Sequence, residues 1–159
     1  MKFHFLSSNN PEAKNTEKKL TELFGQNSVE DADYIIPIGG DGLLLKSLHN
    51  FNKLNKPFFG INFGSIGFLM NNLSNENLND MITNAKKSTF KPLKMTAQSV
   101  DNEIFEAYAY NEVSLMRQTH LASKIKIKIN EKVKMEELIC DGVLLSTSAG
   151  STAYNLSAH

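Results

Sequence analysis

Three clusters in this chain have the residue types and spacing to do chemistry on a phosphate or a sugar. The first is Gly39-Gly40-Asp41-Gly42, which follows the apolar run Tyr34-Ile35-Ile36-Pro37-Ile38 and precedes Leu43, Leu44, Leu45, Leu48 and Phe51. Strand, glycine turn, helix is the layout that presents backbone N–H groups to a phosphate at a helix N-terminus. Glycine can serve there by taking φ > 0 and by letting the main chain approach a ligand closely. A carboxylate would repel a phosphate, so Asp41 needs another task. It can hold a cation, or take a proton from a hydroxyl that attacks the phosphate. Asp-Gly is also common in ordinary turns. The strand before it and the leucine-rich helix after it are what favour the phosphate reading.

The second cluster is Asn111-Glu112, inside the otherwise apolar stretch from Phe105 to Leu115. On a strand, adjacent side chains point to opposite faces. The pair could close a strand end. If buried it must be hydrogen-bonded, and the ribose or amide of a ligand would serve. The third is Asp141-Gly142 and the run that follows, Ser146-Thr147-Ser148-Ala149-Gly150-Ser151-Thr152-Ala153-Tyr154-Asn155-Leu156-Ser157. It reads either as a Ser/Thr-rich loop with a helix starting at Ser151 or Thr152, or as a second close-approach surface for a sugar–phosphate ligand.

The elements that must position these clusters change in kind along the chain. Residues 2–6 read as a strand. Asn10-Pro11-Glu12 reads as a helix start, with Asn10 the N-cap, an apolar side formed by Ala13, Leu20, Leu23 and Phe24, and Gly25 as the stop. Asp33 to Ile38 is the second strand. The helix after the glycine turn ends near Asn55-Lys56-Pro57. Phe58-Phe59-Gly60-Ile61 is a short third strand, leading into a second glycine-rich turn over Asn62 to Leu69. Ser74 then caps a helix carrying Leu78, Met81, Ile82 and Ala85. Alternating strands and helices predict an α/β domain over residues 1–90, with a parallel Rossmann-like sheet and its ligand turns at the carboxyl ends of the strands.

From Lys91-Pro92 to about Thr147 strands follow without helices. Asp101-Asn102 reads as a hairpin turn. Ile125, Ile127 and Ile129 alternate with Lys124, Lys126 and Lys128, and the lysine row is read as a solvated strand face. Residues 91–159 are therefore expected to begin a mainly antiparallel β-rich domain.

Composition narrows the partners. In 159 residues there are 17 basic and 17 acidic side chains and a formal net charge of zero, which argues against a general nucleic-acid binder. The 41% hydrophobic and 21% charged content is that of a soluble globular protein. Cys140 is the only cysteine, and neither a signal peptide nor a membrane-length apolar run is evident, so a reducing, cytoplasmic setting is expected and no membrane partner. His4, His49, His120 and His159 have no metal-ligand spacing.

Taken in order and at these separations, the three clusters closely resemble bacterial NAD kinases. The resemblance runs from about Tyr34 to His159 and takes in Gly60-Ile61-Asn62 and Gly67-Phe68-Leu69. The glycine–aspartate turn is shared with lipid kinases and, more loosely, with phosphofructokinases. Gly150-Ser151-Thr152-Ala153-Tyr154 is the specific part. The resemblance implies transfer of the ATP γ-phosphate to the 2′-hydroxyl of the adenosine ribose of NAD. It implies Asp41 as the general base, Gly39, Gly40 and Gly42 near the phosphates, and Phe63 against the adenine. Asn111 and Glu112 would hold the ribose and Asp141 the nicotinamide end. Ala149, Thr152, Ala153, Tyr154, Asn155 and Ser157, with Asp41 and Gly42, would complete the NAD site. Magnesium would ride with ATP, the protein itself supplying no metal ligands, and a homo-oligomer is implied.

The chain departs from the family pattern in three ways. Ser148-Ala149 stand where proline and a hydroxyl residue are frequent. Ile139 stands where many members have arginine. Members run on for roughly another hundred residues, an order of length typical of one domain, so the second domain is expected to be incomplete, with an apolar face uncovered. Two other readings stay open: a catalytically incompetent NAD(P)-binding fragment, and a lipid or sugar kinase using the same glycine–aspartate turn.

Overall fold

The first half of the chain is built on β2 (Tyr34–Gly39). Ile35, Ile36, Pro37 and Ile38 are fully buried, as suits a central strand of a parallel sheet, where apolar runs replace alternation. In the computed structural model, which describes residues 1–65, 67–74 and 76–158, β2 lies between β1 (Phe3–Ser7) and β3 (Ile61–Asn62), both parallel to it. Ile66 of the second glycine turn and His159 lie outside the described residues. The chain forms two compact units, Met1–Ser88 and Thr89–His159.

Helix α1 (Pro11–Phe24) starts and stops as its sequence predicts. Asn10 Oδ1 accepts the Glu12 N–H at 2.8 Å, and Gly25, with φ +75°, closes the helix by donating to the Thr21 carbonyl. Ala13 and Leu20 are buried and Phe24 packs on the core. Leu23, expected on that face, is 75% exposed. At 3.6 residues per turn it lies about 100° around the helix from Phe24, off the stripe. The free edge of β1 is closed by side chains. Gln26 both accepts from and donates to the Phe5 backbone, and Asn27 donates to the Phe3 carbonyl. This satisfies an edge that could otherwise recruit another strand.

The third strand is shorter than expected. β2 bridges its neighbour at Ile35–Phe58 and again at Ile38–Ile61. Pro37 lies between these points and has no N–H to donate, so Phe58–Ile61 is reduced to one bridge plus the two-residue β3. After Gly40, α2 (Asp41–Phe51) follows, and a 3-10 turn with Asn55 at φ +49° ends it. Helix α3 (Leu78–Asn84) is capped by Asn77, whose Oδ1 accepts from Asn79 N at 2.9 Å, and not by Ser74. Ser74 Oγ accepts instead from Glu76 N, a local turn that a short hydroxyl side chain also favours. Leu78 and Ile82 are buried beneath this helix, and Ala85 is its C-cap.

The second unit consists of antiparallel pairs. β4 (Leu93–Gln98) pairs with β5 (Ile104–Ala109), β6 (Glu112–Met116) with β9 (Gly142–Ser146), and β7 (Ser123–Ile129) with β8 (Lys132–Cys140). The β4–β5 turn carries Asn102 at φ +64°, as Asp101-Asn102 predicts. Asn130 and Glu131 both take positive φ in the two-residue β7–β8 turn, the twist-matched hairpin geometry. Lys124 and Lys126 pair with Glu137 and Glu136 across that hairpin on its exposed side, in keeping with a solvated face. Ile104, Phe105, Leu115, Met116, Ile139 and Leu145 are all exposed, and Tyr110 is the one large side chain of this unit that is buried among the described residues. Apolar strand faces are thus left exposed in this unit. Among the described residues no helix is long and apolar enough to cross a membrane.

Candidate functional site

In the first unit the glycine turn is tighter than its sequence implies. Gly39 is the last residue of β2, Gly40 is the N-cap of α2 in extended conformation, and Asp41 is already the first helical residue. None of Gly39, Gly40 and Gly42 has positive φ; Gly25 is the one glycine that does among the described residues. The conformational reason for these glycines is therefore corrected, and the steric one stands. A Cβ on Gly39 would lie 3.0 Å from Leu43 Cδ2 and 3.1 Å from Ser8 Cβ, and one on Gly64 would lie 3.1 Å from Gly40 Cα. The strand end and the second glycine turn approach backbone to backbone.

That approach fixes Asp41. Its Oδ2 accepts the Phe68 N–H at 3.0 Å and its Oδ1 the Leu69 N–H at 3.1 Å. Both oxygens are held by main-chain donors from a turn 27 and 28 residues further on. Phe63 N donates to the Gly39 carbonyl at 2.7 Å, its own carbonyl accepts from Asn10 Nδ2, and its ring rests partly on the core. Asn10 and Ser8 thus join this corner; Asn10 was legible only as a helix cap, and nothing in the sequence singled out Ser8. Gly42 is different, because its Cβ would meet nothing within 4 Å. Gly42→Ala should stabilise the unit by about 0.4–1 kcal/mol through the unfolded chain, read as a small rise in unfolding temperature. A simultaneous loss of activity would then report crowding of a ligand and not of the fold.

In the second unit the β6–β9 ladder brings the other motifs together. Asn111 lies at a bend just before β6 and Glu112 is its first residue, so the pair straddles a strand end and is not internal to a strand. Glu112 is opposite Ser146. Thr147 N donates to the Asn111 carbonyl at 2.7 Å, Thr147 Oγ1 to the Tyr110 carbonyl at 2.6 Å, and Gly150 N to Thr147 Oγ1 at 3.1 Å. Thr147 is therefore the stitch between motifs almost forty residues apart, a role that one hydroxyl in a Ser/Thr run did not betray. Burial pushes the neighbouring Tyr110 hydroxyl above its usual pKa, so it stays a neutral phenol. Asn111 Oδ1 and Glu112 Oε2 are buried acceptors with no protein partner among the described residues. A buried acceptor left unmatched costs about 1–3 kcal/mol, which a donor from a ligand would recover.

Ala149–Thr152 form a 3-10 turn and Tyr154–Ser157 the single-turn α4, where a helix from Ser151 or Thr152 was expected. Gly150 and the Ser/Thr run have poor helix propensity. Thr152, Ala153, Tyr154, Asn155 and Ser157 line up along this segment, with Tyr154 41% exposed. Asp141 is not beside Asn111 and Glu112. Glu112 pairs with Ser146 and Met116 with Gly142, and Asp141 lies one step further, opposite Arg117, so the two sites lie at opposite ends of the ladder, about 17 Å apart at 3.4 Å per residue. Asp141 Oδ1 takes Arg117 Nε at 2.5 Å, while Ile139 is exposed and supplies no charge.

Comparison with known proteins fits this layout. A family model of the ATP-NAD kinase N-terminal domain matches residues 1–90, and one of the ATP-NAD kinase C-terminal domain matches residues 110–159. The chain is 49% identical over 155 residues to the NAD kinase of Brucella suis biovar 1, an alignment taking in 98% of this chain and 60% of that protein. It is similar to the crystal structure of an NAD kinase from Archaeoglobus fulgidus in complex with ATP, with a TM-score of 0.65 and 28% identity over 99% of this chain and 65% of that one. A yeast NADH kinase complexed with NADH shares the fold, with a TM-score of 0.68 at 20% identity, covering 98% of this chain and 60% of that one. The chain spans about 60% of the length of the curated relatives it matches. With both family domains matched in order along its length, the chain belongs to the ATP-NAD kinase family.

Proposed function

We propose that this chain carries the catalytic carboxylate and the NAD-contacting motifs of an NAD kinase. The 2′-oxygen of the adenosine ribose of NAD attacks the γ-phosphorus of ATP, the bond to the ADP oxygen breaks, and the hydroxyl proton goes to Asp41. Magnesium enters with ATP, as part of the substrate. The observation that carries the reading is the pair of unmatched buried acceptors, Asn111 Oδ1 and Glu112 Oε2, beside the Thr147–Gly150 turn. A ribose diol offers hydroxyl donors of that kind. The separation of about 17 Å along the ladder between Glu112 and Asp141 suits an extended dinucleotide, with adenosine ribose at one end and nicotinamide at the other. Gly39, Gly40 and Gly42, at the start of α2, face the phosphates in this reading. Phe63 takes the adenine, and Ala149, Thr152, Ala153, Tyr154, Asn155 and Ser157 line the NAD site. The same reading puts the protein in the cytoplasm and in a homo-oligomer.

Glu112→Gln keeps the shape and replaces one acceptor with a donor. It should weaken NAD binding by roughly tenfold, the value of one charge-assisted hydrogen bond, with little change in ATP affinity. Isothermal calorimetry checks it. A second reading, NAD binding without turnover, is favoured by the uncovered apolar strands of the second unit. NADP formation from NAD and Mg·ATP by the purified 159-residue chain separates the two. Turnover supports the kinase reading, and binding without turnover the second. Phosphorylation of a lipid or free sugar in place of NAD would overturn both.

A further inference from the structure

Arg117 is the charged group set against Asp141, and no motif of the sequence assigns it a task. It follows β6, and its backbone N–H donates to the Asp141 carbonyl at 2.8 Å, extending the ladder one step past Met116 and Gly142. Its side chain turns back onto the same residue. Nε meets Asp141 Oδ1 at 2.5 Å, and Nη1 donates to the Thr119 carbonyl. The guanidinium thus ties Asp141 to the 118–120 loop at the edge of a depression lined by Met116, Arg117, Gln118, Thr119, His120 and Asp141. Among the described residues Asp141 Oδ2 has no partner, and the carboxylate is 78% exposed against 31% for the arginine side chain. One oxygen is held and the other faces outward.

Two consequences follow for a ligand at this end. The held carboxylate keeps an acceptor for a carboxamide N–H. Its negative charge, however, is cancelled at contact distance. A bare carboxylate would attract the pyridinium of oxidised NAD and have no such attraction for the neutral dihydropyridine of NADH. Paired with Arg117, it distinguishes them poorly. We propose that Arg117 is a positioning and specificity-determining residue which, by neutralising Asp141, flattens the discrimination between NAD and NADH. This rests on the reading that Asp141 takes the nicotinamide end.

The test is calorimetric binding of NAD, NADH and ADP-ribose to the chain and to Arg117→Gln and Arg117→Lys. The wild-type chain should bind NAD and NADH within about threefold of each other. Arg117→Gln should shift the ratio toward NAD by roughly fivefold, the effect of two unit charges about 4 Å apart in a watery site, and the shift should shrink at high salt. ADP-ribose, which has no nicotinamide, should bind both alike. Arg117→Lys, which keeps the charge, should keep the wild-type ratio, and it serves if the glutamine variant folds poorly. A merely structural arginine would weaken all three ligands together and leave the ratio unmoved, and that result overturns the inference alone. A wild-type chain that binds none of the three overturns the NAD reading beneath it.

Discussion

Asp41→Asn should reduce NADP formation by about 10²–10⁴, the usual worth of a positioned general base, while NAD and ATP affinities stay within a few fold. An amide cannot take the proton of the attacking hydroxyl, and the rest of phosphoryl transfer is positioning and charge stabilisation that the variant keeps. The substitution has a structural cost as well. The carboxylate accepts from both Phe68 N and Leu69 N. Asparagine offers one oxygen and turns its NH₂ toward the other donor, so one hydrogen bond is lost, at about 0.5–1.5 kcal/mol. Amide hydrogen exchange at Phe68 and Leu69 reads that loss directly, and rate measurements at saturating substrate read the chemistry. A variant with loosened amides and undiminished turnover would reduce Asp41 to a brace for the second glycine turn and remove it from the reaction.

What was legible beforehand was whatever is written locally. Asn10-Pro11-Glu12 and Gly25 fix α1 because capping is settled within four residues. The alternation of Ile125, Ile127 and Ile129 with lysines fixes β7 because strand faces have period two. The unbroken apolar run before Gly39 marks the central strand. Elsewhere the outcome turned on a single position, in two cases local and in one across the sheet. Asn77 took the cap expected of Ser74 because it directly precedes the first buried residue, Leu78. Pro37 shortened a strand more than twenty residues away by withholding a donor. Leu23 was one position off the buried stripe.

The candidate site divides in the same way. The chemistry-bearing side chains stand out by type: a carboxylate among glycines, and an Asn-Glu pair among apolar residues. Their holders do not. Asp41 is fixed by backbone amides, which every residue possesses, so nothing in Phe68 or Leu69 announces the contact. Thr147 and Arg117 act through the β6–β9 register, and register is invisible until the strands are paired. The glycines illustrate the limit most clearly. Their presence signals a close approach but not which one, and Gly39, Gly64 and Gly150 press on three different partners.

Gly150 gives the second large expected effect. A Cβ there would stand 2.2 Å from the Asn111 carbonyl oxygen, 2.6 Å from its carbon and 2.8 Å from its Cα. These are backbone atoms, so no rotamer relieves the clash, and φ at Gly150 is not positive, so the obstacle is purely steric. Gly150→Ala must push the turn off Asn111. That breaks Thr147 N to Asn111 O and strains Gly150 N to Thr147 Oγ1, at about 1 kcal/mol each, with overpacking adding about 1–3 kcal/mol. A loss of about 3–5 kcal/mol is a large share of a domain's usual stability, and it should appear as a marked fall in unfolding temperature. Because the same turn frames the two unmatched acceptors, NAD affinity should fall by about a hundredfold or more, as a displacement of the ribose pocket worth about 3 kcal/mol requires. Gly142→Ala is the informative comparison. Its Cβ would meet the Leu115 carbonyl oxygen at 2.2 Å, so it opens the same ladder from the Asp141 end. If Asn111 and Glu112 hold the ribose, Gly150→Ala should weaken ADP-ribose as severely as NAD, whereas Gly142→Ala should weaken NAD more than ADP-ribose. Equal losses of both ligands in both variants would mean that the ladder unfolds as one body and that its two ends are not separate subsites.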